Sequence, residues 1–263
     1  MVKLNCYNLE MITVFLFVAG IVIGSFLNVV GLRWGSGRTL LGRSSCSSCG
    51  KVLEWYELIP FFSFLILRGR CLNCGGKISW QYPAVEILTG LVFATIFNFQ
   101  FSIFQNLILI SVFCIYIVIV IYDVYHKIIP DELVYTSIAL SLLVPLFIVH
   151  YSLLDWLSGP ILFAFFGLIW LLSKGYAMGF GDAKLGLSVG LLLGATQGFS
   201  AIILAFWIGA FGSLMYLFGD KVGFPKNAKK LTMKSEIPFA PFIVAGAWMS
   251  LVFNLNLFHV ALF

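Results

Sequence analysis

"MITVFLFVAGIVIGSFLNVVGL", residues 11–32, decides the class of fold. The run is 22 residues long and holds no Asp, Glu, Lys, Arg or His. A bilayer core ~30 Å thick needs ~20 helical residues, so this run is long enough to cross it. A secretory signal has a shorter apolar stretch followed by a small-x-small cleavage site. Neither is present, and only Lys3 precedes the run. It reads as a retained first transmembrane helix.

Similar runs follow at about 83–99, 104–122, 133–149, 157–172, 183–195, 198–218 and 238–256. They predict an all-α polytopic membrane protein of about eight transmembrane helices. The composition agrees: 61% of residues are hydrophobic and 10% charged, where a soluble domain carries roughly 25% charged residues. A large soluble core is excluded. The run at 183–195 is short and carries Gly186, Gly190 and Gly194, which favours burial among other helices over lipid contact. "LIPFFSFLIL" (58–67), with Pro60 inside it, is too short to span and reads as interfacial or re-entrant. The expected division is a first transmembrane helix at 1–33, a cytoplasmic insertion at 34–82, and a seven-helix membrane domain at 83–263.

Eight spans place alternate loops on opposite sides. The loops after the first, third, fifth and seventh spans hold 15 of the 16 Lys and Arg residues; Lys3 alone falls on the other side. The positive-inside rule puts those loops in the cytoplasm and both termini outside. The net charge of +5 is accounted for by this asymmetry, and no nucleic-acid partner is needed. The expected partner surface is membrane lipid.

The first of these loops contains Cys46, Cys49, Cys71 and Cys74, two CxxC pairs separated by 21 residues, with Gly50 and Gly75 directly after each pair. Four thiolates at this spacing suit tetrahedral Zn²⁺, and the glycines allow the tight turns that aim both sulfurs inward. The insertion therefore reads as a small zinc-ribbon-like unit. Disulfides are the alternative, disfavoured on the cytoplasmic side. Cys6 and Cys114 read as apolar fillers.

Acids are scarce, 11 in 263 residues, so those beside membrane-length runs need reasons. Asp131 and Glu132 follow Pro130 and fit ordinary helix-start chemistry. Asp123 sits where its run ends, at a helix C-terminus whose dipole opposes a negative charge. Asp182 closes "GFGD" (179–182) at the mouth of the next run. Gly179 and Gly181 before it permit unusual backbone angles and close approach. Asp182 could serve as a helix cap, but two aspartates at one depth also fit a catalytic pair. Two carboxylates ~3 Å apart cannot both ionise and share one proton, so one can protonate a carbonyl while the other deprotonates water. His126 reads as interfacial, and His150 and His259 face the outer side.

With these residues in place, the chain resembles the bacterial type IV prepilin peptidases, a group of GxGD aspartyl proteases. The resemblance rests on "GSFLNVV" (24–30) with Arg33, the paired CxxC knuckles, "ISWQYPAVEILTG" (78–90), "DVYHKIIPD" (123–131) and "AMGFGDAKL" (177–185). It implies a bacterial inner-membrane enzyme that removes the basic leader of prepilins and pseudopilins after a Gly, with its active site facing the cytoplasm. It further implies N-methylation of the new terminus from S-adenosylmethionine. Asp123 and Asp182 match the catalytic pair, with Gly179 and Gly181 supporting that loop, and the four cysteines match the metal tetrad. The family's Gly-Lys pair before the third cysteine reads Gly69-Arg70 here. With Glu86, which is equally readable as a carboxylate favoured by a helix N-terminus, these form a possible methyl-donor or substrate site.

Two other functions fit parts of the pattern. One is a proton- or cation-coupled transporter using Asp123 and Asp182. The other is a non-catalytic zinc-ribbon scaffold. A transporter is expected to carry its acids near mid-membrane, with repeat symmetry or broken helices. Oligomeric state is left open by the sequence.

Overall fold

The computed structural model describes residues 6–37, 39–97, 102–147, 151–176, 178–219 and 238–257. The readings made above for Lys3, Arg38, His150, His259, Lys221, Lys226, Lys229, Lys230 and Lys234 lie outside them, as do the far ends of the 83–99 and 133–149 runs.

Among the described residues the chain is mainly helical, without a named strand; the cysteine-bearing segment is built of turns and two isolated antiparallel bridges. The helices are α1 (Cys6–Arg33), α2 (Phe62–Ile66), α3 (Gln81–Ile96), α4 (Ile103–His126), α5 (Asp131–Ser141), α6 (Leu143–Phe147), α7 (Leu153–Leu172), α8 (Phe180–Gly219) and α9 (Ala240–Val252). Four of them contain stretches long and apolar enough to cross a membrane: Glu10–Arg33, Ile103–His126, Leu153–Leu172 and Phe180–Leu214. Gln81–Ile96 and Ala240–Val252 are apolar but shorter. Length alone therefore supports four crossings and not the expected eight. The 133–149 run breaks into α5 and α6 around Leu142, because Pro145 has no N–H to continue the ladder and its ring crowds the preceding turn.

Two compact units partition the chain, Met1–Ile121 and Tyr122–Phe263, with the boundary inside α4. In the first, α1 and α3 lie antiparallel along a seam of small residues. A Cβ on Gly20 would come within 2.8 Å of the Gly90 Cα, and one on Gly24 within 2.8 Å of the Thr89 hydroxyl. Where lipid tails are as apolar as leucine, such close approach is what holds helices together. Asn28 then donates from Nδ2 to the Tyr82 carbonyl at 3.3 Å. The opposite face of α1, with Val14, Phe15, Val18, Val22 and Phe26, is exposed and suits lipid. At its end the Arg33 guanidinium ties down the following loop, donating to the carbonyls of Thr39 (2.9 Å) and Gly42 (2.8 Å). The 58–67 stretch, expected to be interfacial or re-entrant, starts at the end of a 3-10 turn (Trp55–Leu58) and contains the short α2.

The second unit is organised by a break in α8. Gly194 has φ 74° and ψ −174°, a backbone region open essentially to glycine. A Cβ on Gly198 would lie 3.3 Å from the Gly190 Cα. Along a continuous helix those residues would be ~12 Å apart. The chain therefore folds back at Gly194, and the two runs at 183–195 and 198–218 are separate arms, as their sequence spacing predicts. The break frees polar backbone groups inside an apolar bundle, where no water can satisfy them. The start of α7 supplies the partners. The Ala195 N–H donates to Asp155 Oδ1 (2.8 Å), Tyr151 donates its hydroxyl to the Leu191 carbonyl (2.8 Å), and Ser158 donates to the Gly190 carbonyl (2.8 Å). The other Asp155 oxygen, Oδ2, closes a capping box with Ser152 at the N-terminus of α7.

The α7–α8 contact offers a direct test of this packing. A Cβ on Gly190 would fall 2.6 Å from the Gly159 Cα and backbone nitrogen, whereas one on Gly167 meets nothing within 4 Å. Gly190→Ala must push backbone from backbone, which costs roughly 1–3 kcal/mol. Thermal unfolding of the detergent-solubilised protein should show a lowered Tm for Gly190→Ala and none for Gly167→Ala.

Candidate functional site

Asp123 and Asp182 both belong to the second unit, and both are nearly buried, at 5% and 7% exposure. Asp123 occupies the last turn of α4. Lys127, at φ 56°, ends the helix there and donates its N–H to the Asp123 carbonyl at 2.7 Å. The carboxylate thus stands at the negative end of its own helix. What offsets this is α9: the N–H of Ala240, the first residue of that helix, donates to Asp123 Oδ2 at 3.3 Å. A helix N-terminus carries unused N–H groups and a partial positive charge, an arrangement worth ~1–2 kcal/mol to a partly buried anion.

Asp182 sits in the first turn of α8. Its carboxylate accepts from the Gly179 N–H, and it feels the charge of Asp123. Reaching back from the third helical position to the N–H before the helix is half of a capping box, so the capping reading of Asp182 holds alongside any chemical one. Of the two reasons expected for the glycines, close approach holds, at Gly181, and unusual backbone angles do not. Among the described residues neither has a left-handed φ. A Cβ on Gly181 would lie 2.8 Å from the Ile129 Cβ, while one on Gly179 would be 3.6 Å from Asp182 Oδ2. Gly181 makes room for Ile129 and the chain leading into α5; Gly179 leaves ordinary space beside the carboxylate. Asp131, read as a helix-start acid, does open α5, and it also accepts from the Lys184 ammonium at 2.6 Å. His126 stacks on Tyr122, ring centres 4.3 Å apart.

The four cysteines converge in the first unit, every Sγ within 4.8 Å of the others. Two hydrogen-bonded knuckles present them in the same way. The Cys46 N–H donates to the Lys51 carbonyl and the Gly50 N–H to the Cys46 carbonyl; Cys71, Gly76 and Gly75 repeat the pattern, all at 2.9 Å. Gly50 (φ 73°) and Gly75 (φ 68°) make the left-handed turns. Ligands on tetrahedral Zn²⁺ with Zn–S bonds of ~2.3 Å lie ~3.8 Å apart, and Cys46 Sγ and Cys74 Sγ are 3.8 Å apart. The backbone N–H groups of Cys49 and Ser48 pull the Cys46 thiol down to about 6. For Cys74 the Gly76 N–H acts in the same sense, but the Cys49 sulfur, desolvation and the other two sulfurs outweigh it, leaving that thiol at about 11. Sulfurs so close cannot all be thiolates without a cation among them. The donor set fits a zinc ion.

Two family descriptions match the chain in tandem: residues 18–100 the bacterial peptidase A24 N-terminal domain, and residues 107–214 the type IV leader peptidase family. A Bacillus subtilis (strain 168) protein named prepilin leader peptidase/N-methyltransferase is 31% identical over 248 residues, covering 91% of this chain and 93% of that protein. The chain belongs to the type IV leader peptidase family. A Stutzerimonas stutzeri relative of the same name is 30% identical, covering 90% of this chain and 89% of its own. One from Myxococcus xanthus (strain DK1622) is 48% identical over 102 residues, 37% of this chain and 30% of its own. No solved structure matches. The transporter reading finds no support in these matches.

Within this leader peptidase family member, the three residues grouped as a possible methyl-donor site do not all line one cavity. Gly69 and Arg70 border a cavity of about 600 Å³, and Glu86 is absent from its lining. Glu86 is 5% exposed. Its Oε2 accepts the Phe61 N–H at 2.7 Å, and Ser25 also donates to the carboxylate. Phe61 (φ 60°, ψ −51°) is the centre of a γ-turn closed by the Phe62 N–H to the Pro60 carbonyl at 2.6 Å. Such a turn is rare for a residue with a side chain, and Glu86 braces it.

Sequence reading missed Ala240. Its signal was "PFAPF" (238–242), where prolines mark a helix start that could face an acid at a helix end. Two outcomes are expected. Metal analysis of the purified protein should give about one zinc per chain, falling with Cys71→Ser and Cys74→Ser together with the yield of folded protein. Gly181→Ala should lower the Tm by displacing Ile129, with Gly179→Ala close to the parent.

Proposed function

We propose that this chain is a membrane aspartic endopeptidase. It cuts the basic leader from type IV prepilins and pseudopilins after a Gly on the cytoplasmic side and then methylates the new N-terminal residue. The observation that carries the reading is the pair of buried carboxylates, Asp123 and Asp182, each bonded to a backbone N–H and near enough for one charge to act on the other. Family membership and the relatives' shared name supply the substrate class and the methylation.

In this reading the pair holds one proton. The ionised acid takes a proton from water, whose oxygen attacks the scissile carbonyl, while the protonated acid gives its proton to the carbonyl oxygen. Return of a proton to the departing nitrogen breaks the C–N bond and restores the pair. The Ala240 and Gly179 N–H groups hold the carboxylates still during these transfers. Burial excludes bulk water, which strengthens each electrostatic contact. The zinc ion is structural, fixing the two knuckles.

S-adenosylmethionine, when bound, supplies the methyl group. The cavity beside Gly69 and Arg70 offers cations to the donor's carboxylate, but no carboxylate to its sulfonium and ammonium groups. No methyl-transfer step is derived through these residues.

We further propose eight crossings: α1, α3, α4, α5 with α6, α7, the two arms of α8, and α9. The 15 cations counted above then face the cytoplasm, as do both acids, and the termini lie outside.

Purified protein incubated with a prepilin should remove the leader. Asp123→Asn and Asp182→Asn should each reduce cleavage by at least ~10³-fold, with melting and zinc content near those of the parent. Substantial turnover in either folded variant would overturn the paired-acid mechanism.

A further inference from the structure

The same cavity has a composition that peptide cleavage leaves unused. Arg68, Arg70 and Lys77 line it together with Phe64, Leu65 and Trp80. Among the described residues the two ion pairs are Lys51–Glu57 and Lys184–Asp131, and neither involves these cations. Two of them are forced together. Arg70 and Lys77 face each other across an antiparallel bridge, a placement that brings side chains ~5 Å apart and is unfavourable for like charges. A fold that sets three unpaired cations around one hollow has a place for an anion.

The depth of the hollow identifies the anion's source. The antiparallel α1–α3 seam pairs Gly20 with Gly90, Gly24 with Glu86 and Thr89, and Asn28 with Tyr82. Continued by one turn, this register sets Arg33, the last residue of the first membrane span, level with Ile78 to Trp80. The cavity therefore opens at the boundary of the hydrocarbon layer. Of its apolar lining, Leu65 and Trp80 are 51% and 73% exposed, and Phe62 and Ile66, on α2 with Leu65, are 60% and 79% exposed. Cations on one side and acyl-compatible surface on the other match the two halves of a lipid. Arg forks grip phosphate oxygens in pairs, and basic pockets at this depth hold lipid headgroups.

We propose that the cavity lined by Arg68, Arg70 and Lys77 binds the phosphodiester headgroup of an anionic phospholipid, whose acyl chains lie over Leu65, Ile66 and Trp80. The bound phosphate neutralises the Arg70–Lys77 opposition and anchors the insertion to the bilayer surface.

Native mass spectrometry of the full chain in detergent, titrated with phosphatidylglycerol or phosphatidylcholine, tests this by reading lipid and not cleavage. The parent should retain one phosphatidylglycerol in preference to phosphatidylcholine. Lys77→Gln should weaken retention about fivefold, Arg68→Gln with Lys77→Gln by more, and Lys77→Arg should restore it. Zinc content reports whether each variant is folded; if the double variant is not, the Lys77→Gln and Lys77→Arg pair decides. Equal retention of both lipids, or retention unchanged in folded Lys77→Gln, overturns the proposal. So does displacement of the lipid by inorganic phosphate at comparable concentration, which would leave an anion site without a lipid. Displacement by S-adenosylmethionine would assign the cavity to the methyl donor and overturn it equally.

Discussion

A buried helix end leaves N–H groups in need of partners, and among the described residues of the second unit carboxylates answer that need three times. Asp155 takes the Ala195 N–H where α8 folds back, Asp182 takes the Gly179 N–H at the start of α8, and Asp123 takes the Ala240 N–H at the start of α9. Each contact serves both partners. The helix end loses an unmet donor, and the acid gains a positive neighbour in a medium hostile to charge. Asp155 is structural by this account, held also in its own capping box. The other two differ because they lie near one another, and it is that nearness that turns two helix-end contacts into a candidate catalytic pair.

Close backbone approach is the second constraint. At Gly20, Gly24 and Gly190 a single methyl group would overlap a neighbouring helix. Helices that meet this closely gain dispersion contacts that hydrophobic burial cannot provide among lipids. The same economy of space appears at Gly181, where the methyl group would meet Ile129. The carboxylate next to it is thereby fixed by packing as well as by hydrogen bonding.

Much of this was legible in the sequence. Apolar runs located the helices, CxxC spacing located the tetrad, and the scarcity of acids drew attention to Asp123 and Asp182. The reversal at Gly194 was foreshadowed by the gap between two runs. The misses share a cause. The partners of Asp123 and Asp155 are backbone N–H groups, which every residue but proline possesses; prolines mark the helix start at Ala240, but no pattern tells which acid that N–H meets. The reason for Gly181 is steric and depends on Ile129, 52 positions earlier. The split of the 133–149 run turned on Pro145, a signal present in the sequence but outweighed by the apolar residues around it. For Glu86 both a helix-start role and a ligand contact were open, and neither reading anticipated the Phe61 N–H that its carboxylate accepts.

The α1–α3 register also bears on how the cysteine-bearing segment joins the rest. It begins where Arg33 ends α1 and finishes at Trp80 before α3, and because those helices lie antiparallel its two ends are close. A module with adjoining ends can be inserted into or excised from a hairpin without re-routing either helix. The metal unit is thus an insert on a two-helix stem, joined to it further by the Phe61 N–H that Glu86 of α3 accepts.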